Sequence, residues 1–179
     1  ANPIISDIII SGNKTLDETT GQGGGLYCWL SAPELNNVLM VNNSSIYGGG
    51  AYLGGEGTGT SFTHVTIVDN IGTYGGGLYL NLADGQFTDQ PTVLNSIIWN
   101  NKPQQIYFSA DNNLWGIDIS YSIIEGGQES IRNANNARIN WGAGNITSSP
   151  ILTSNYRLDP YSPAIGAASS TDDPQTDLN

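Results

Sequence analysis

Charge is scarce in this sequence, and cations most of all. Only 12% of the 179 residues are charged, and five Lys plus Arg stand against 16 Asp plus Glu, a formal charge of −11. A surface of that sign repels phosphate backbones and anionic lipid, so no nucleic acid and no membrane surface is expected as a partner. Cysteine is reduced to Cys28. Neither an intrachain disulfide nor a Cys-x-x-Cys metal framework can form, and Cys28 reads as a small buried apolar side chain. No apolar run approaches the roughly 18 residues of a membrane span, so no membrane insertion is expected. No charged-then-apolar leader opens the sequence; if the protein is secreted, its signal has been removed.

In place of charge there is glycine, 23 residues of it, and an internal repeat. Asp7-Ile8-Ile9-Ile10-Ser11-Gly12-Asn13, Asn37-Val38-Leu39-Met40-Val41-Asn42-Asn43, His64-Val65-Thr66-Ile67-Val68-Asp69-Asn70 and Asn95-Ser96-Ile97-Ile98-Trp99-Asn100-Asn101 superimpose residue by residue. A degenerate fifth copy begins at Tyr121. Copies 26 to 31 residues apart, built from short β-rich runs, mean stacked units of which none can bury its own apolar face.

Within each copy the apolar alternation slips once, at 7, 37, 64, 95 and 121. Side chains along a strand alternate between faces. A bend at that position therefore turns three columns inward: Ile5, Leu35, Phe62, Val93 and Ile119; then Ile8, Val38, Val65, Ser96 and Ser122; then Ile10, Met40, Ile67, Ile98 and Ile124. Asn13, Asn43, Asn70 and Asn101 form a corner column, expected to tolerate left-handed backbone and to stack amides at the strand spacing. Gly-Gly-Gly before Leu26, Ala51 and Leu78 marks a second tight corner. Its phosphate-loop reading fails, because no Lys-Ser/Thr and no helical pattern follows. The first copy carries an insertion, Lys14 to Gln22, on the outside, where binding surfaces grow.

Ile/Met-x-x-Asn followed by Gly-Gly-Gly-Leu/Ala-Tyr, with Asn95-Ser96-Ile97-Ile98-Trp99-Asn100-Asn101 leading to Gln105-Ile106-Tyr107, resembles the repeats of bacterial surface and secreted proteins in the pectin-lyase-like superfamily. It is also similar to the repeats of polymorphic outer-membrane proteins, whose Phe-x-x-Asn is here Ile or Met-x-x-Asn. The closing segment Tyr156 to Gly166 resembles the end of many such helices. The resemblance implies an all-β fold, a right-handed parallel β-helix of five to six coils over 1–166 with a polar tail at 167–179, and an extracellular or cell-surface bacterial location. Both ends read as cut from a longer protein. For function it implies little, because the superfamily holds lyases, hydrolases, adhesins and spacers.

A sugar hydrolase needs paired carboxylates flanking the bond, and the superfamily's hydrolase motifs are missing: His64 is followed by Val65, and the one Asp-Asp, Asp172-Asp173, lies in the tail. A polyuronate lyase needs a cation and a base; Arg132, Arg138 and His64 are the candidates, although His64 also fits a corner role. Asp69, Asp84, Asp89 and Asp111 are candidate calcium ligands from loops; no other cofactor is expected. The outward columns offer two more surfaces. Ile9, Leu39, Ile97 and Ile123 make an apolar stripe that something must cover, either the protein's own loop or tail or a partner chain. Tyr27, Tyr52, Tyr79 and Tyr107, with Trp99 and Trp115, stabilise neighbouring strands and offer flat platforms for a glycan. The expected role is a non-catalytic structural or adhesive module that contacts glycans or other chains. The alternatives are a polysaccharide lyase or glycoside hydrolase, and a unit that self-assembles through open coil ends.

Overall fold

The computed structural model describes residues 2–55, 59–82, 90–109, 116–132 and 137–169. Its strands are β1 (Ile4–Ser11), β2 (Leu26–Trp29), β3 (Glu34–Val41), β4 (Ala51–Gly55), β5 (Ser61–Val68), β6 (Leu78–Leu82), β7 (Thr92–Leu94), β8 (Ile97–Trp99), β9 (Ile106–Phe108), β10 (Gly116–Ser120), β11 (Ile123–Ile124) and β12 (Arg138–Trp141). All pair in parallel, in two sheets: β1-β3-β5-β7-β10-β12, with β8 and β11 alongside, and β2-β4-β6-β9. The chain is a parallel β-helix. About four turns are closed by both sheets, and the first sheet continues for two further rungs, which accounts for the five to six coils expected.

The columns stack as the repeat dictates. Ile5, Leu35, Phe62, Val93 and Ile119 lie in one line of register, and Ile10, Met40, Ile67, Ile98 and Ile124 in another. With Leu78, Leu80, Ile106 and their neighbours from the second sheet they form one continuous core. The slip is a bend: Asp7, Asn37, His64, Asn95 and Tyr121 all have φ between 48° and 55°.

At the next corner the left-handed residue is not the asparagine expected. Gly12, Asn42, Asp69 and Asn100 carry φ of 53° to 67°, and the asparagine after each is buried in the second, third and fourth coils. There the amides form a ladder. Asn13 Nδ2 donates to Asn43 Oδ1 at 3.0 Å, Asn43 Nδ2 to Asn70 Oδ1 at 3.0 Å, and Asn70 Nδ2 to Asn101 Oδ1 at 2.9 Å. Each acceptor also takes the backbone N–H of the preceding asparagine. The glycine corner is shaped by this ladder. A Cβ on Gly25 would stand 2.7 Å from the Gly50 carbonyl oxygen and 3.0 Å from Asn43 Nδ2. In the fourth coil Gln105 stands at the equivalent position, and its Oε1 accepts Asn101 Nδ2 at 2.8 Å, closing the ladder where the fifth coil has Gly127.

A second polar file replaces the Ile8-Val38-Val65 column in the later coils. Val65 N–H donates to Ser96 Oγ, Ser96 N–H to Ser122 Oγ, and Ser122 N–H to Asn145 Oδ1, at 3.0, 3.1 and 3.1 Å. Side-chain oxygens have taken donors that would otherwise serve the strand ladder, so the single eight-residue strand of the first three coils is split into β7 and β8, then β10 and β11.

Asn70 is completely buried, and its Oδ1 is the acceptor for Asn43 N–H. Asn70→Ala orphans that donor together with the Met40 and Val68 carbonyls that Asn70 Nδ2 serves. We expect a loss of about 3 kcal/mol, read from chemical denaturation, with Thr66→Ala on the outer face as the near-neutral comparison.

Candidate functional site

After Ile146, which pairs with Ile123, the chain leaves the coils, residues 149–158 lie over the outer face of the first sheet, and Ser169 reaches it again at Asn95. They are held there by side-chain contacts. Tyr156 Oη accepts Asn42 Nδ2 at 3.2 Å; Ser169 N–H donates to Asn95 Oδ1 at 2.8 Å, and Asn95 Nδ2 returns to Ser169 O at 3.5 Å. Residues 152–158 close as a hairpin, with a Leu152–Leu158 antiparallel bridge and Thr153 N–H on Arg157 O at 2.8 Å.

This segment decides what happens to the outward apolar stripe. Ile9, Leu39, Thr66, Ile97 and Ile123 do form one column. Their exposure falls from 58% at Ile9 to 3% at Ile123. The protein's own C-terminal segment covers the stripe in part, and between hairpin and sheet it leaves a groove of about 750 Å³. The floor is Ile9, Leu39, Thr66 and Ile97, the opposite wall Leu152, Tyr156 and Leu158, and Asn37, His64, Asn95 and Arg157 add polar groups. A mostly apolar concavity with a few convergent polar groups is the general form of a ligand site.

His64 belongs to the bend column on the rim of this groove. Because Ser169 N–H must meet an oxygen, the Asn95 amide is oriented with its Nδ2 toward His64 Nε2, 3.2 Å away. With φ at 54° and Nε2 committed to Asn95, His64 is built as a corner residue.

The other candidate lyase residues are not gathered around it. Arg132 borders a separate depression of about 320 Å³ together with Lys102, Glu125 and Ser130. Arg138 opens β12, exposed, in register with Gly116. Glu125 accepts Asn100 N–H at 2.8 Å and Gln105 Nε2 at 2.6 Å, so it terminates the buried amide ladder on a carboxylate. Asp69 is a left-handed corner whose Oδ1 takes Asn100 Nδ2 at 2.5 Å. Asp84, Asp89, Asp111 and Trp115 lie outside the described residues. Among the described residues no three His, Cys, Asp or Glu side chains come together as a metal site.

The tyrosines point outward as the alternation requires, but outward is not exposed. Tyr27, Tyr52, Tyr79 and Tyr107 stack with centroids 5.3, 5.4 and 5.6 Å apart, and Tyr47 and Tyr74 flank them. Tyr52 is 1% exposed and Tyr79 is buried; burial raises both phenol pKa values. Tyr27, 49% exposed, is the face this stack offers at its N-terminal end. Trp99 is half-buried beside residues 149–153. Cys28 is buried, and burial pushes its thiol up to about 11, so it is not a thiolate at neutral pH. The inserted loop is organised by Asp17, which accepts the backbone and hydroxyl groups of Thr19 and Thr20; these bonds hold its carboxyl well below the usual carboxylate range.

Fold and groove together define a parallel β-helix with a C-terminal segment laid across one outer face. Within it, residues 7–28 match the model of the Chlamydia polymorphic membrane protein (Chlamydia_PMP) repeat. No curated protein and no solved structure matches the chain.

The sequence marked Tyr156 to Gly166 as a closing segment and not as the wall of a groove. Leu152, Tyr156, Arg157 and Leu158 belong to no repeat copy, and no periodic pattern marks what they lie against. If His64 is a corner residue, His64→Asn leaves the melting temperature unchanged within about a degree, whereas β-branched His64→Val at φ 54° costs about 1–2 kcal/mol. Equal losses in both variants, measured by thermal unfolding, contradict the corner role.

Proposed function

We propose that this chain is a non-catalytic structural or adhesive module of a bacterial surface protein, held at the cell surface and contacting glycans or other proteins through its outer faces. The observation that carries the reading is where the repeated polar residues go. Three of the four repeat asparagines, and the serines of the later coils, are spent inside as ladders, and His64 is spent at a bend. A repeat that turns its polar groups inward suits a scaffold, and the match of residues 7–28 to a repeat of bacterial membrane proteins fits a surface location. Glycan contact is best supported at the exposed Tyr27 and Trp29, where rings stand at the N-terminal end of the tyrosine stack. On a polyuronate panel we expect no rise in the absorbance of unsaturated products, and on a glycan array retention without turnover. Turnover that Arg132→Ala or Arg138→Ala abolishes would overturn the reading in favour of a lyase.

A second reading, self-assembly through an open coil end, is favoured by one observation. Ile8 stands in an interior column and is 40% exposed, where Val38 in the next coil is 1% exposed, and the outer edge of β1 has no partner strand among the described residues. Edges of this kind pair with other strands. Static light scattering should show mass rising with concentration and falling in Ile8→Lys; a strict monomer at millimolar concentration removes this reading.

A further inference from the structure

We propose that the groove beneath the 152–158 hairpin is a docking site for a short, extended, basic segment of a partner protein. The proposal deepens the reading of the chain as a surface module and rests on it. The same sheet face already accepts polypeptide on both sides of the groove. Residues 149–153 lie beside Val68 and Trp99, and the main chain of Ser169 is bonded through both its N–H and its C=O by the Asn95 carboxamide. That is recognition of a main chain by a side-chain amide, independent of the bound residue's identity. The unfilled part between them has an apolar floor, and its volume of about 750 Å³ is within the range of small-ligand and peptide pockets. It opens past Ile9, which is more than half exposed.

The charge selects the kind of segment. At −11, the long-range field attracts a cationic peptide. In the groove itself, alternate apolar side chains meet Ile9, Leu39 and Ile97, while lysines or arginines at either end stay in solvent, away from Arg157 on the hairpin wall.

Panning a displayed library of random octapeptides on the whole chain tests this. Enrichment of basic sequences with alternating apolar residues is expected. A fluorescein-labelled enriched peptide should lose about tenfold in affinity to Leu39→Arg. Ile9→Arg, at an exposed position that leaves folding intact, should give the same loss if Leu39→Arg unfolds, and Leu16→Arg on the distant inserted loop should leave binding unchanged. No enrichment, enrichment of acidic or wholly polar sequences, or binding indifferent to both groove substitutions overturns the proposal. So does displacement of the peptide by a neutral oligosaccharide from the array, which leaves the surface-module reading standing. Polyuronate turnover defeats that reading instead and is measured separately.

Discussion

Everything in this molecule is subject to one spacing. Parallel strands stacked about 4.8 Å apart place each residue directly above its counterpart in the next coil, so a side chain must be compatible with copies of itself. Apolar residues meet this condition by packing. Inside a corner a polar residue meets it only if it both donates and accepts along the stack, and the carboxamide does: Asn43 and Asn70 each give the backbone N–H and one side-chain N–H to the next coil and receive the same pair from the coil before. An aspartate column could not alternate in this way, and a serine has one donor where the amide has two. The ladder lets a buried polar corner persist through four coils without an unsatisfied amide.

The ladder is also polar. Each Oδ1 faces the coil before and one side-chain N–H faces the coil after, while Nδ2 also returns to a main-chain carbonyl of the coil before, so the last amide of the row still needs an acceptor on its C-terminal side. Gln105 relays the last donors to Glu125, whose carboxylate suits that end by charge as well as by geometry. The serine file is closed differently, by Asn145 turning its Nδ2 back onto the Ile119 carbonyl at 2.8 Å. Both closures fall in coils where the repeat decays, so that decay marks where stacking is terminated.

The register of the coils was legible in the sequence because the repeat is its own template: matching Ile10 to Met40 to Ile67 by eye is the same operation as stacking them. The bend at 7, 37, 64, 95 and 121 was legible for the same reason. Which of two adjacent corner residues is left-handed was not. Asn42 and Asn43 both tolerate that conformation, and the choice is made by the ladder, a contact between coils that local preference does not encode. The tyrosine column shows a related limit. Alternation correctly turns the rings outward, yet stacking at 5.3 to 5.6 Å makes them cover one another, so direction and exposure part company. That something must cover the outward stripe was legible; which segment does so was not, since the groove arises from a non-repeating segment folding back over coils 74 to 114 residues earlier.

That last point bears on where function can arise in such a fold. A perfect repeat presents the same surface at every level, so it offers a stripe and no enclosed site. Depth appears where the repeat is broken: the hairpin that roofs the groove, Ser169 that fixes Asn95 beside His64, and the Gln105–Glu125 pair beside the depression of Arg132. The stripe supplies apolar area, and the covering segment converts part of it into a concavity while shielding the rest from water. Removing that cover would expose Val68 and Trp99 along with the groove floor, and a contiguous apolar patch of that kind marks an interaction surface. The C-terminal segment therefore has two roles on one face: it keeps the sheet from associating indiscriminately, and it shapes the part left open.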